Sequence, residues 1–419
     1  MTARPHIVVL GGGFGGLEAT FYLRHRLGDR VALTLVSDRD YFLFKPNTIY
    51  VPFGEDPEDF KVSLLGAVKR KNIEFVQDKA TAVDPHSRKV MLGGRDIGYD
   101  YLVVATGADM QPKEIPGLAE HAITIWTPAE MLRLRQALQK LVEDVRAGAA
   151  RKLLFLIPPN NRCSGPLYEL CLMSDTWMRR QGVRERVDIL WSTCEDSFIQ
   201  AFGPRLDTVV GGEFDERGIH GFKGFVVTAV EAGIVKYQNG RTHEFDVLVA
   251  FPPYVAEQRY DALESDDRGF IKVDPDSRRV SGQSAIFAVG DATDFPIKQA
   301  FLALLQGDAA GEHIAAEIVG GKPQLKFEPM SMCVMEELNR ATFAQVPLSY
   351  TGDPMKPVQV ASDHPEDYRV GVSPLWRLGK KVLGIYAPWR FSRGEPFHAG
   401  FAWETMDLGL KVMSKLMAS

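Results

Sequence analysis

Two short segments of this 419-residue chain place chemically capable residue types where chemistry needs them. HIVVLGGGFGGLEAT sets Gly11, Gly13 and Gly16 directly after an apolar run. That is the spacing of a turn bringing backbone N–H groups to a pyrophosphate at a helix N-terminus. KLLFLIPPNNRCSGPLYEL repeats the strand–turn–helix order but keeps only Gly165, beside Cys163. Pro158 and Pro159 lack amide donors, and Asn160, Asn161 and Arg162 add side chains where a dinucleotide needs a bare backbone. One dinucleotide is therefore expected to bind and a second, NADH, is not. A thiol stands where a nicotinamide would deliver hydride. Cys163 at a helix head, next to the Arg162 cation, is expected to favour the thiolate. An unreactive turn cysteine is the plainer alternative.

The elements that position these residues follow from the surrounding pattern. Residues 5–36 read as strand, turn, helix and strand, ending at Ser37 and Asp38, where an acceptor can take a ribose hydroxyl. YDYLVVATGA is a strand ending in the small residues Ala105, Thr106 and Gly107, which let backbone lie close to a cofactor. IFAVGDATD is another, ending in Gly290 and Asp291, whose carboxylate can accept from ribityl hydroxyls. Each alone could be a buried strand with a tight turn. Between them lie a helical stretch (PAEMLRLRQALQKLVEDV), the altered turn with its own helix, and HEFDVLVAFPPYV, where Pro252 and Pro253 return the chain to the first unit.

Composition narrows the classes. The net charge of −5 gives no basic field for nucleic acid, and no zinc-spaced Cys/His set points to a metal. Four cysteines are too few for a secreted disulfide framework. The first strand starts too early for a cleavable signal peptide, and no apolar run reaches a membrane-spanning length. In FAWETMDLGLKVMSKLMAS, Ala402, Met406, Leu410, Met413 and Met417 share one helical face. That face suits core packing or a dimer interface. A membrane-surface helix, assisted by Trp389, Phe391, Phe401 and Trp403, is the sharper expectation.

Taken in this order, the segments resemble the FAD-binding domain of the two-dinucleotide-binding disulfide oxidoreductase superfamily over roughly residues 5–345. The resemblance implies an α/β fold of two Rossmann-like domains. The FAD-binding one is split (residues 1–110 and 256–345), the second covers 111–255 with a degenerate nicotinamide site, and 346–419 forms a membrane-associating C-terminal region. PPNNRCSGPLYEL with the late cysteine of EPMSMCVMEELNRATFAQ looks like sulfide:quinone oxidoreductase, and is similar to the flavoprotein subunit of flavocytochrome c sulfide dehydrogenase. In that family two cysteines at these positions, here Cys163 and Cys333, lie against the flavin as a redox-active disulfide or persulfide. Glu169 matches the family's proton-relaying glutamate, the alternative being a helix-surface carboxylate. Lys298 precedes a helix whose N-terminus would face the flavin pyrimidine edge, where the dipole and Lys298 could stabilise the anionic reduced flavin or a quinone carbonyl, the alternative being a surface cation. Pro46, in DYFLFKPN, and Pro253 match flavin-lining loop positions. AITIWTPAE lacks the third cysteine of many members, so FAD is expected to be held non-covalently, and Cys171 and Cys194 read as structural. The resemblance implies a peripheral-membrane enzyme that passes electrons from sulfide to quinone. A type II NADH:quinone oxidoreductase and a flavin-bearing redox sensor without turnover are the alternatives. Homo-oligomerisation stays open.

Overall fold

The computed structural model describes residues 4–353, 356–362, 364 and 366–418. The extreme ends of the expected domains, residues 1–3 and 419, lie outside the described residues. In chain order the first unit supplies β1 (His6–Leu10), α1 (Phe14–Leu27), β2 (Ala32–Ser37), β3 (Glu74–Gln77) and β4 (Tyr101–Val104). The second supplies β5 (Ile123–Thr124), α2 (Pro128–Arg146), β6 (Arg151–Ile157), α3 (Gly165–Arg180), β7 (Val187–Thr193), β8 (His220–Phe222) and β9 (Val247–Ala250). The chain then returns through β10 (Ile286–Ala288) and α4 (Ala300–Val319). It ends with β11 (Met330–Glu336), β12 (Ala341–Tyr350), β13 (Arg369–Ser373), α5 (Pro374–Ser392) and α6 (Gly400–Met417).

Two parallel five-stranded sheets result, ordered β10-β4-β1-β2-β3 and β5-β9-β6-β7-β8. Their central strands are apolar on both faces because both are covered: helices pack on one face of each sheet, and small antiparallel strands between residues 82 and 98 and between 227 and 244 pack on the other. The α2 helix begins with a capping box, in which the Thr127 and Glu130 side chains each accept the other's backbone N–H. It buries Met131, Leu134, Leu138, Leu141 and Val145 in one stripe. Two short antiparallel strands, Ala108–Met110 and Tyr254–Ala256, make the double crossing between the units at the predicted Pro252-Pro253 exit.

The C-terminal part is an antiparallel sheet in which β12 lies between β11 and β13. Since β12 runs through the boundary expected at residue 345, the last unit is continuous with the segment carrying Cys333. The α5 helix was not foreseen, because Gly379, Gly384 and Pro388 look unhelical. It buries Trp376, Lys380, Ala387 and Phe391 against the protein.

The stripe read in α6 also faces the protein: Met413 and Met417 pack on Phe343 and Trp376, and Met406 on the first unit's core. The outward apolar residues are different ones. On α6 they are Phe401, Leu408, Val412 and Leu416; on α5 they are Leu375, Leu378, Val382, Ile385 and Trp389. Phe391 is fully buried and Trp403 packs inward on Phe397, so neither assists that face.

Candidate active site

The C-terminal ends of both parallel sheets open into one cavity of about 1280 Å³. Ligand crevices of open α/β sheets occur at this end. Gly11, Gly13, Ser37, Asp38, Pro46, Ala105, Thr106, Gly107, Cys163, Glu169, Gly290, Asp291, Lys298 and Cys333 all line it. Pro253 is not among its lining residues.

The first turn can be tested for a dinucleotide on its own geometry. A Cβ at Gly11 would fall 2.2 Å from the Ala105 carbonyl oxygen, and one at Gly16 would fall 2.0 Å from that of Gly11. These two glycines are needed by the turn and by helix–strand packing. At Gly13, the residue before α1, a Cβ would meet nothing within 4 Å. Its bareness is not required by the protein's own packing and leaves room for a ligand. Asp291 follows Gly290, whose φ of +67° needs glycine. The Asp291 carboxylate accepts no hydrogen bond from any described residue, and burial raises its pKa; an acceptor is left open to a ligand hydroxyl. Ser37 Oγ accepts from the Arg39 N–H at 3.3 Å, and Asp38 is paired with the Arg39 guanidinium at 3.3 Å, so both acceptors are partly engaged at the cavity edge. The donor set fits FAD.

The second turn is stitched shut. Asn160, in left-handed backbone at φ +63°, donates from Nδ2 to Glu114 at 2.7 Å. Asn161 donates to the Phe251 carbonyl at 2.8 Å and accepts the Cys163 N–H at 2.9 Å. The Arg162 carbonyl accepts the Lys298 N–H at 3.0 Å, tying the turn to the returning FAD-side segment.

Cys163 departs from the expected thiolate. The α3 helix starts only at Gly165, with Cys163 outside it, and the Arg162 guanidinium lies 6.0 Å from the Phe270 ring centre. Burial first, then the negative fields of Asp291, Cys333 and Glu169, push the Cys163 thiol far up. Burial likewise raises Cys333 to about 12. Cys333 lies beside the start of α3, where a Cβ on Gly165 would sit 3.9 Å from its Sγ. Both cysteines are half-buried free thiols. Cys171 is buried, while Cys194, read as structural, lines the same cavity beyond β7.

Glu169 is no surface carboxylate. Burial raises its pKa to about 7, against the opposing pull of Lys380, whose Nζ donates to it and, at 2.8 Å, to the Val334 carbonyl. Lys298 is no surface cation either. It is buried, donates to the Thr293 carbonyl and lies 3.7 Å from the Phe270 ring centre; burial lowers its pKa to about 7.

Two site residues escaped sequence reasoning. Lys380 comes from α5, and nothing local marks it. Lys45 stands beside Pro46 in the quoted FKPN; its Nζ is 3.0 Å from the Trp126 ring centre, and burial lowers its pKa to about 7.

Comparison with known proteins agrees with this architecture. Residues 5–149 match the family described as pyridine nucleotide-disulphide oxidoreductase. The sulfide-quinone reductase of Aquifex aeolicus is 34% identical over 253 residues, 57% of this chain and 56% of that protein; the match thus spans little more than half of that relative. The mitochondrial sulfide:quinone oxidoreductase of Mus musculus is 23% identical over 377 residues, 85% of this chain and 81% of its own. The crystal structure of the Aquifex aeolicus sulfide:quinone oxidoreductase superposes with a TM-score of 0.85 at 24% identity, covering 97% of this chain and 96% of that one. The chain is thus similar to the pyridine nucleotide-disulphide oxidoreductases over residues 5–149, and to sulfide:quinone oxidoreductases over most of its length.

Proposed function

We propose that the protein is a peripheral-membrane flavoenzyme that oxidises sulfide through Cys163 and Cys333 and reduces a quinone. The observation carrying this reading is that one cavity joins the glycine turn, both cysteines, Glu169 and the C-terminal helices. Its volume of about 1280 Å³ exceeds the roughly 300–1,000 Å³ of a single-ligand pocket, leaving room for a second ligand beside FAD. The divided-domain reading belongs to this proposal.

FAD, which Gly11, Gly13 and Asp291 would hold, would supply a two-electron acceptor. Hydrosulfide attacks one sulfur of a Cys163–Cys333 disulfide. One S–S bond forms as another breaks, leaving a persulfide on one cysteine and a thiolate on the other. Both thiols are pushed up by burial, so a lasting thiolate is disfavoured. Glu169, at about 7, is poised to give or take the proton at a cysteine Sγ, and Lys380 fixes its carboxylate. Lys298 places a buried amine near Asp291. Leu383, Gly384, Ala387, Phe397 and Trp403 line the cavity from α5, α6 and their connection, an apolar approach suited to a quinone ring.

The outward stripes of α5 and α6 support attachment to a membrane surface, with Phe401 81% and Ile385 71% exposed. Among the described residues no helix is long and apolar enough to cross a membrane. Steady-state assays with a soluble quinone test the reading. Sulfide is expected to drive turnover in wild type and not in Cys163→Ser or Cys333→Ser, and NADH is expected to drive none. Rapid turnover with NADH contradicts it.

A further inference from the structure

The molecule buries a second cluster of ionisable groups, between α1, α4 and the α5–α6 connection, and none of the three is among the cavity's lining residues. Glu18 of α1 is fully buried; its carboxylate accepts the backbone N–H of Phe397 at 2.6 Å and of His398 at 3.2 Å. Asp308 of α4 is bonded to His398 Nδ1 at 2.5 Å. One donor atom from each of Glu18, Asp308 and His398 lies within 4.8 Å of the others. Residues 397 and 398 belong to the connection between α5 and α6. Two FAD-side helices thus grip the corner of the C-terminal helix pair.

The charges around this grip do not balance. Among the described residues no lysine or arginine ion-pairs with Glu18, Asp308 or His398. On α1, Tyr22 donates to Glu312 of α4, which Arg26 already pairs. On α5, Arg390 donates to the Pro396 and Ala399 carbonyls, and the Tyr386 hydroxyl to the Phe397 carbonyl. On α6 the facing charge is Asp407. Phe301, Phe397 and Trp403 wall His398 from three sides. Two adjacent buried carboxylates without a cation are tolerable only if they hold a proton between them.

We propose that Glu18, Asp308 and His398 form a proton-holding latch that fixes the α5–α6 corner on the FAD-binding helices, and that emptying it of its proton loosens α6. Phe397 and Trp403, on this corner, also line the main cavity. The latch therefore sets how firmly that wall closes. This inference does not depend on which substrate the enzyme takes.

The sign follows from the directions. Burial raises Glu18, and raises Asp308 to about 7, so the latched state holds more protons than a released one. Latching is then lost as pH rises through these values. His398 is lowered by burial and opposes this only below its ordinary 6.5. The window opens near pH 6.5 and runs upward through the Asp308 value of about 7.

Hydrogen exchange of the full-length flavoprotein, corrected for intrinsic rates, tests it. Protection of α6 amides is expected to fall by up to about tenfold per pH unit across that window in wild type. The α1 and β1 amides should hold. In Glu18→Gln, which keeps the shape and one acceptor, the slope should fall clearly below that of wild type; Asp308→Asn is the second variant should the first not fold. A flat wild-type profile, or an undiminished slope in the folded variant, overturns the latch.

Discussion

Glu169 and Lys380 stand 211 residues apart in sequence and form a buried ion pair at the edge of the cysteine cavity. One partner lies on the helix after the altered turn, the other on the first C-terminal helix. A carboxylate of the cysteine cavity is thereby tied to the part of the chain that faces outward with an apolar stripe.

Replacing Lys380 by Met removes the charge that holds Glu169 down against burial. The Glu169 pKa should then climb above about 7, moving the corresponding limb of the kcat/KM pH profile to higher pH by roughly one unit or more. Glu169→Gln should erase that limb. Because a buried charge loses its partner, Lys380→Met should also cost about 3–5 kcal/mol of stability, read by denaturant unfolding. An unmoved pH profile in Lys380→Met argues against Glu169 as the titrating group.

The glycines of the first turn should separate folding from cofactor binding. Gly13→Ala meets no protein atom within 4 Å and sits at φ −93°, an ordinary conformation for alanine. It should fold but carry far less FAD, as read by absorbance against protein content, with a melting temperature equal to that of FAD-free wild type. Gly11→Ala must adopt φ +110° with its Cβ 2.2 Å from a carbonyl oxygen, so it should lose the fold itself. Full FAD occupancy in Gly13→Ala would mean that the ligand does not approach there.

The outward apolar stripes make the membrane reading testable by vesicle flotation. Asp at Ile385 and Phe401, two strongly exposed positions, should lower binding at least about tenfold with the fold intact, since each substitution removes a buried hydrophobe at the interface. Met413→Asp, on the inward face, should destabilise the protein. Binding unaffected by the outward pair assigns that face to another partner.

The parallel units were legible because their signals are local. A glycine spacing, an apolar run and the Pro252-Pro253 exit each act within a few residues. The helix at 400–417 was legible as a helix, but its methionine stripe suited both core packing and a membrane surface, and the core is where it lies. Both faces of α6 carry apolar residues, and only the packing of Met413 on Trp376 decides which faces in. In α5 the signal was present and masked. Leu375, Leu378, Val382, Ile385 and Trp389 repeat at spacings of three and four, yet two glycines and Pro388 lower helix propensity. Cys163 lines the cavity, and the sequence left its thiolate and its unreactive form open, whereas burial favours the thiol. A sequence shows the neighbouring arginine; it does not show that Arg162 turns toward Phe270 while Asp291 and Glu169 press from the other side.

The most direct test of the central claim is anaerobic addition of sulfide to the purified yellow protein, following flavin absorbance in wild type and in Cys163→Ser. The account predicts rapid bleaching in wild type, abolished in the variant, with NADH leaving both unchanged. Bleaching by NADH with no response to sulfide would contradict it, and would mean that the turn held by Asn160 and Asn161 opens to a nucleotide after all.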